Sequence, residues 1–229
     1  MVKDSLIKLN NIVAFRGKYP VLSGVSAQIV QQERVWISGP NGAGKTSLLK
    51  VIAGLFAVTS GSGEVLNEDL RNYFLIREKV GYIGHRPLIY NDLTPMENLQ
   101  YFARSVKELK HLSKKNLNLK IKEVLSELNF QDRLHDTKSS GLSEGQRKKL
   151  SIATVMIKQP QLILMDEPHG GLDKSSREFL DGFILKFTHN TFNTIIFTSH
   201  EDQCAAPIAT RNISLKGGFV VSDVYSNVS

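Results

Sequence analysis

The sequence predicts an α/β protein, a parallel-sheet core with a helical subdomain inserted into it. Three observations predict it. Short apolar runs at residues 35–37, 80–84, 162–165 and 194–197 are of the unbroken kind that a strand buried on both faces requires. The last two flank a helical pattern from Lys174 to Phe187, giving strand, helix and strand in succession. For roughly eighty residues after Gly84 the apolar positions recur at helical spacing instead.

Each element can be justified in order. The β-branched stretches 6–15 and 21–30 read as strands, and the second leads through polar Gln31, Gln32 and Glu33 to the apolar run 35–37. A glycine-rich turn follows, then a helix from Lys45 through Ala53 that stops at Gly54. Thr94, Pro95 and Glu97 open the next helix with a capping hydroxyl, a proline at the first helical position and a carboxylate, and Leu99, Phe102, Ala103 and Val106 continue it. Ile121, Val124, Leu125 and Leu128 mark another helix, and one more starts near Ser143. The segment 213–221, interrupted by Gly217 and Gly218, reads as a hairpin closing the edge of the sheet.

Composition narrows the class. A chain of 229 residues, 41% hydrophobic and 22% charged, can bury a core, which excludes a wholly disordered protein. The single cysteine, Cys204, cannot pair within the chain, so a disulfide-stapled secreted fold is excluded. Asp4 and its polar neighbours interrupt what an export signal would need, and the apolar run 51–58 is far short of the roughly 18 residues of a membrane span. Membrane contact is therefore expected to be peripheral. The net charge of +7 favours anionic partners in general. The basic run from Lys107 to Lys122 lacks interleaved aromatics and reads as a solvated helix face, so no nucleic-acid partner is expected.

Chemistry enters at Gly39, Pro40, Asn41, Gly42, Ala43, Gly44, Lys45 and Thr46, followed by Ser47, which fit G-x-x-x-x-G-K-[ST] between an apolar strand and a helix. Glycines let backbone N–H groups turn inward around phosphate oxygens, Lys45 can reach the β- and γ-phosphates, and the Thr46 hydroxyl can ligate Mg²⁺. A helix terminus alone offers about 0.3–1 kcal/mol per charge against about −8 kcal/mol for micromolar binding, so amides, lysine and metal must act together. Asp166 and Glu167 directly follow the apolar run 162–165, at the strand end where α/β folds place their ligands. Asp166 is assigned to Mg²⁺ and Glu167 to polarising the attacking water as general base.

Leu142, Ser143, Glu144, Gly145 and Gln146 resemble the L-S-G-G-Q signature of the ATP-binding cassette (ABC) ATPases. The phosphate loop, this signature, the strand with its carboxylates, Leu172-Asp173 and Thr198-Ser199-His200 follow in that family's order. The resemblance implies a P-loop NTPase (RecA-like) core with an antiparallel β subdomain and an inserted helical subdomain. It implies one domain over 1–229, with core at 1–85 and 160–229 and helical subdomain at about 86–159. ATP and Mg²⁺ are the implied cofactors, held in a head-to-tail homodimer in which Ser143, Gly145 and Gln146 of one copy complete the γ-phosphate site of the other. His200 is expected to link the γ-phosphate to Glu167, and Asp173 to couple the two sites. The adenine-stacking aromatic is Phe15 or Tyr19, with core packing the alternative for either. Glu144 departs from the family's glycine, Gly170 stands where a serine is common, and His85 replaces a glutamine that senses Mg²⁺ and the membrane partner.

The stretch Gly84-His85-Arg86-Pro87, with residues 93–99 after it, is similar to the ATPase subunits of the cytochrome c maturation heme exporter, the CcmA family. That resemblance implies a multi-span permease and other cytochrome c maturation proteins as partners. It places the chain at the cytoplasmic face of the inner membrane, or at the matrix side of a mitochondrial one.

Overall fold

The computed structural model describes residues 5–189 and 193–226; Asp4 lies outside them. The chain opens with β1 (Ser5–Arg16) and β2 (Tyr19–Val30), continues through β3 (Arg34–Ser38) into α1 (Lys45–Ile52), and returns in β4 (Ser60–Val65) and β5 (Glu68–Asp69). Next come α2 (Tyr73–Lys79), β6 (Val80–Ile83), then the helices α3 (Pro95–Ala103), α4 (Lys114–Glu127) and α5 (Glu144–Met156). The remainder is β7 (Leu162–Met165), α6 (Lys174–His189), β8 (Thr194–Thr198), the short α7 (Asp202–Ala205) and the hairpin β9 (Arg211–Lys216) and β10 (Phe219–Tyr225).

These strands make an antiparallel sheet in the order β2-β1-β4-β5 and a larger one in the order β10-β9-β3-β8-β7-β6. In the larger sheet β9, β3, β8, β7 and β6 run parallel, and only β10 is antiparallel. The unbroken apolar runs now have their cause. On β7, Leu162 and Leu164 point into the core shared with α1 and the antiparallel sheet, while Ile163 and Met165 point into the core under α3–α6. On β8, Ile196 faces the first core and Ile195 and Phe197 the second; on β3, Val35 and Ile37 face the first and Trp36 the second. Alternation along a strand thus feeds two cores, so the positions between the ends of β3 and β8, and all of β7, carry no polar residue. Each such side chain contributes about 1.5–3 kcal/mol by leaving water.

The helical insert is fixed at its start. Thr94 Oγ1 accepts from Glu97 N at 3.2 Å and Glu97 Oε2 accepts from Thr94 N at 2.9 Å, a reciprocal capping box. Buried Asn98 then pins the loop after β6, accepting from Tyr90 N at 2.8 Å and donating to Tyr90 O at 3.0 Å. Helix α3 stops at Ala103, so Val106, expected within it, lies beyond its end and packs on the same core from outside. Lys107, Lys110, Lys114, Lys115 and Lys122 are exposed and Lys120 is half-buried, but Lys107 and Lys110 precede α4, so the run is solvated without forming a single helix face. Among the described residues no helix is long and apolar enough to cross a membrane.

Candidate active site

The phosphate loop is shaped by what presses on it. A Cβ on Gly39 (φ +132°) would lie 2.1 Å from the carbonyl oxygen of Leu215 on β9, and one on Gly44 (φ +105°) would lie 2.5 Å from Val21 O on β2. Only glycine fits either place. The C-terminal hairpin also braces the loop directly, since Gly218 N donates to Ala43 O at 3.1 Å and Ser23 N donates to Gly218 O at 2.8 Å. Ala43 and Ser47 are buried, while Pro40, Asn41 and Gly42 border solvent. Helix α1 begins at Gly44 with no side-chain cap and no acidic residue in its first turn. Its opening N–H groups and the positive end of its dipole are thereby left for an anion.

Lys45 is buried and turned back on its own loop, donating from Nζ to Gly39 O at 2.7 Å and Pro40 O at 3.0 Å. Burial pushes its ammonium below the ordinary lysine range, and the carboxylates of Glu167 and Asp166 oppose that shift. Thr46 reaches across to β7, its hydroxyl donating to Asp166 Oδ1 at 3.0 Å.

Asp166 and Glu167 leave the end of β7 in different ways. Asp166 is buried and accepts from both Thr46 and Thr198, the latter at 2.9 Å. Its own N–H donates to Ile83 O at 2.8 Å. Glu167 is bent into the left-handed region at φ 48°, which costs a side chain of this kind about 1–2 kcal/mol. The bend is held by Glu167 N donating to Thr198 Oγ1 at 2.8 Å. It sends the carboxylate to His200, with Oε1 2.8 Å from Nε2. His85 Nε2 stands 3.7 Å from Oε2, too far for a hydrogen bond but near enough for a protonated ring to be felt. The His200 loop is steadied from the sheet, where Trp36 Nε1 donates to Ser199 O at 3.3 Å.

Thr46, Asp166, Glu167, His200 and His85 therefore meet at one end of the parallel sheet. Thr198, whose hydroxyl donates to the Asp166 carboxylate and accepts from the backbone N–H of Glu167, was missed as a functional residue. The signal for it is the register, because Met165 pairs with Phe197 and the next residue on each strand lies alongside.

Ser143, Gly145, Gln146 and Asp173 gather elsewhere. Ser143 caps α5, its hydroxyl accepting from Gln146 N at 3.3 Å while Gln146 Oε1 accepts from Ser143 N at 2.9 Å. Asp173 caps α6 by accepting from Ser176 N at 2.7 Å, and the amide and hydroxyl of Ser176 with that of Ser175 hold its carboxyl below the usual range. These residues line one surface pocket of about 210 Å³, to which residues 39–47 contribute nothing. Glu144 leans over the turn before Asp173; a Cβ on Gly171 (φ +73°) would lie 2.4 Å from its Oε1. Phe15 is 42% exposed and Tyr19 79% exposed. Neither packs in a core, so that alternative is withdrawn for both.

A family model described as ABC transporter matches residues 22–170, a span holding the phosphate loop, the signature and both carboxylates. The chain belongs to the ABC transporter family. The sulfate/thiosulfate import ATP-binding protein CysA of Methylococcus capsulatus is 29% identical over 93% of this chain and 61% of its own length. ATP-binding cassette sub-family A member 6 of Mus musculus is 32% identical over 88% of this chain, which spans only 12% of that protein. The dimeric structure of the ATP-binding cassette MJ0796 in a post-hydrolysis state, bound to ADP and Pi, superposes with a TM-score of 0.86 at 25% identity. It covers 96% of this chain and 98% of its own. The family's cassette fold accounts for the antiparallel sheet, the parallel core and the helices between β6 and β7.

Proposed function

We propose that this chain is the ATP-hydrolysing motor of a membrane transporter, acting as a pair of copies that enclose ATP between them. The observation that carries the reading is the hydrogen-bond chain from the phosphate loop through Thr46, Asp166 and Thr198 to the backbone N–H of Glu167, whose carboxylate lies 2.8 Å from His200 Nε2. It joins a phosphate-binding helix end to a carboxylate–imidazole pair, which is what moving a proton beside a phosphate requires.

Each side chain then has a task. The amides of residues 39–46 and Lys45 bind the β- and γ-phosphates, with Lys45 exchanging its loop carbonyls for phosphate oxygens. Asp166 Oδ1 and Thr46 Oγ1, 3.0 Å apart, form the hard oxygen pair that suits Mg²⁺, which when bound neutralises charge on those phosphates. Glu167 takes the proton of the attacking water, and His200 orients Glu167 and donates toward the γ-phosphate. His85 stands beside the same carboxylate and links it to the loop that precedes α3. Ser143, Gly145, Gln146 and Asp173 serve the partner copy's nucleotide, since their pocket includes none of the chain's own phosphate loop. The chain acts as one domain, with a core at 1–85 and 160–229 and a helical subdomain at about 86–159. Phe15 on β1 or Tyr19 on β2, both exposed, is the base-stacking candidate.

Turnover per chain should fall away on dilution, as copies separate. An unchanged rate per chain at high dilution would remove the paired reading. For the cargo, the sequence around His85 supports the heme exporter of c-type cytochrome biogenesis, with the chain held at the cytoplasmic or matrix face by a multi-span permease. Recovery of a heme-handling permease with the chain supports that assignment. Recovery of another exporter's permease, or of soluble iron–sulfur assembly proteins, replaces it.

A further inference from the structure

Behind the Asp166–Glu167 turn lies a polar cluster with no task in the steps above. Arg177, in the first turn of α6, donates from Nε to Leu172 O at 3.0 Å. Its two Nη atoms donate to Glu201, at 2.7 Å to Oε2 and 3.3 Å to Oε1, and Nη1 lies 3.4 Å from Cys204 Sγ. Leu172 immediately precedes Asp173, and Glu201 immediately follows His200. One guanidinium therefore grips both segments, which are otherwise attached to different strands.

The chemistry suits a brace better than a stabiliser. Arginine stays charged and presents its donors in a rigid planar fork, so three acceptors are held at fixed angles. The hydrogen bonds to Glu201 raise its proton affinity further. Yet the side chains are 33% and 46% exposed, and ion pairs in contact with water add little to folding. One turn further along α6, Asp181 Oδ1 lies 2.8 Å from Nε2 of buried His169, anchoring the same 168–173 turn to the same helix. Helix α6 thus already holds the turn through His169, and what Arg177 adds is the reach across to Glu201. Glu201 is itself set by its N–H donating to Ser199 Oγ at 3.0 Å.

We propose that Arg177 is a positioning residue that fixes the His200 segment against the Asp173 turn, and so sets the approach of His200 to Glu167. The proposal rests on the roles given above to Glu167, His200 and Asp173. It makes seating of the Asp173 turn on a partner copy and engagement of His200 a single event.

The test uses the purified full chain with ATP and Mg²⁺, comparing Arg177→Met, Arg177→Lys, His200→Ala and the pair R177M/H200A. Arg177→Met should lower kcat by about 10-fold to 100-fold, the usual cost of a misplaced catalytic group, with KM for ATP and the melting temperature unchanged. Arg177→Lys should recover only part of the rate, because an ammonium cannot reproduce the fork. In the His200→Ala background Arg177→Met should cause no further loss, since both act through one contact. A native kcat in Arg177→Met, a fall in kcat matched by a fall in melting temperature, or losses that multiply in the double variant would each overturn the proposal. Glu167→Gln run alongside separates the two levels. If it turns over at the native rate the site assignment fails and the brace with it, whereas a slow Glu167→Gln beside a native Arg177→Met sinks the brace alone.

Discussion

The N-termini of α1 and α5, both assigned to phosphate in the proposed function, are finished differently. Helix α1 begins at Gly44 with no side-chain cap and no first-turn carboxylate. Helix α5 begins at Ser143 with a closed capping box and carries Glu144 in its first turn. The first is faced by buried Asp166 and half-buried Glu167; the second lies at the surface beside Asp173. An open terminus has donors to spare for a ligand, while a capped one must release its own side chain before its hydroxyl can serve another molecule. On the proposed function, the α1 end is the primary phosphate seat and the α5 end a conditional one that would engage when a partner brings phosphate to it.

Substitutions can break or sharpen that contrast. The largest effect is expected at the α1 end, where Glu167→Gln should slow turnover by about 10²–10⁴ while ATP still binds, read by steady-state hydrolysis beside nucleotide titration. Lys45→Ala, at the same end, should weaken ATP binding by about 100-fold or more, the worth of a desolvated charge contact; native affinity would show that the open terminus suffices alone. At the conditional end, Ser143→Arg should leave ATP affinity of the single copy within about twofold yet abolish ATP-dependent pairing in light scattering. If pairing survives, the capped terminus is only a helix cap. The smallest effect concerns Asp173. Its carboxyl is held below the usual range, so the folded chain binds fewer protons there than the unfolded one, and stability from the charged cap rises with pH. The melting-temperature lead of the native chain over Asp173→Asn should accordingly be present at neutral pH and vanish as pH falls below about 3.9 through the lowered value. A lead that persists to about pH 2 would show that charge has no part in this cap.

The fold was legible wherever burial imposed a pattern. β7 and β8 announced themselves because each strand feeds two cores, and α3 because its cap is built from local residues. β4, β5 and α2 escaped notice for the opposite reason. β4 is rich in serine and glycine and is a strand by virtue of its pairing with β1, from Ile7 with Val65 to Val13 with Ser60. Helix α2 buries only Ile76, too little for a periodicity to register. The site divides similarly. Motif spacing brought out residues 39–46, Asp166, Glu167 and His200, whereas Thr198 depends on strand register and Arg177 on a contact with a residue 24 positions away. Neither belongs to a local pattern, so only the assembled chain reveals them.

Lys45 ties off its own cradle. With the ammonium bonded to the carbonyls of Gly39 and Pro40, the start of the glycine loop is tied to the helix that follows it. On the proposed function, a triphosphate bound here would take the place of those carbonyl oxygens at the ammonium.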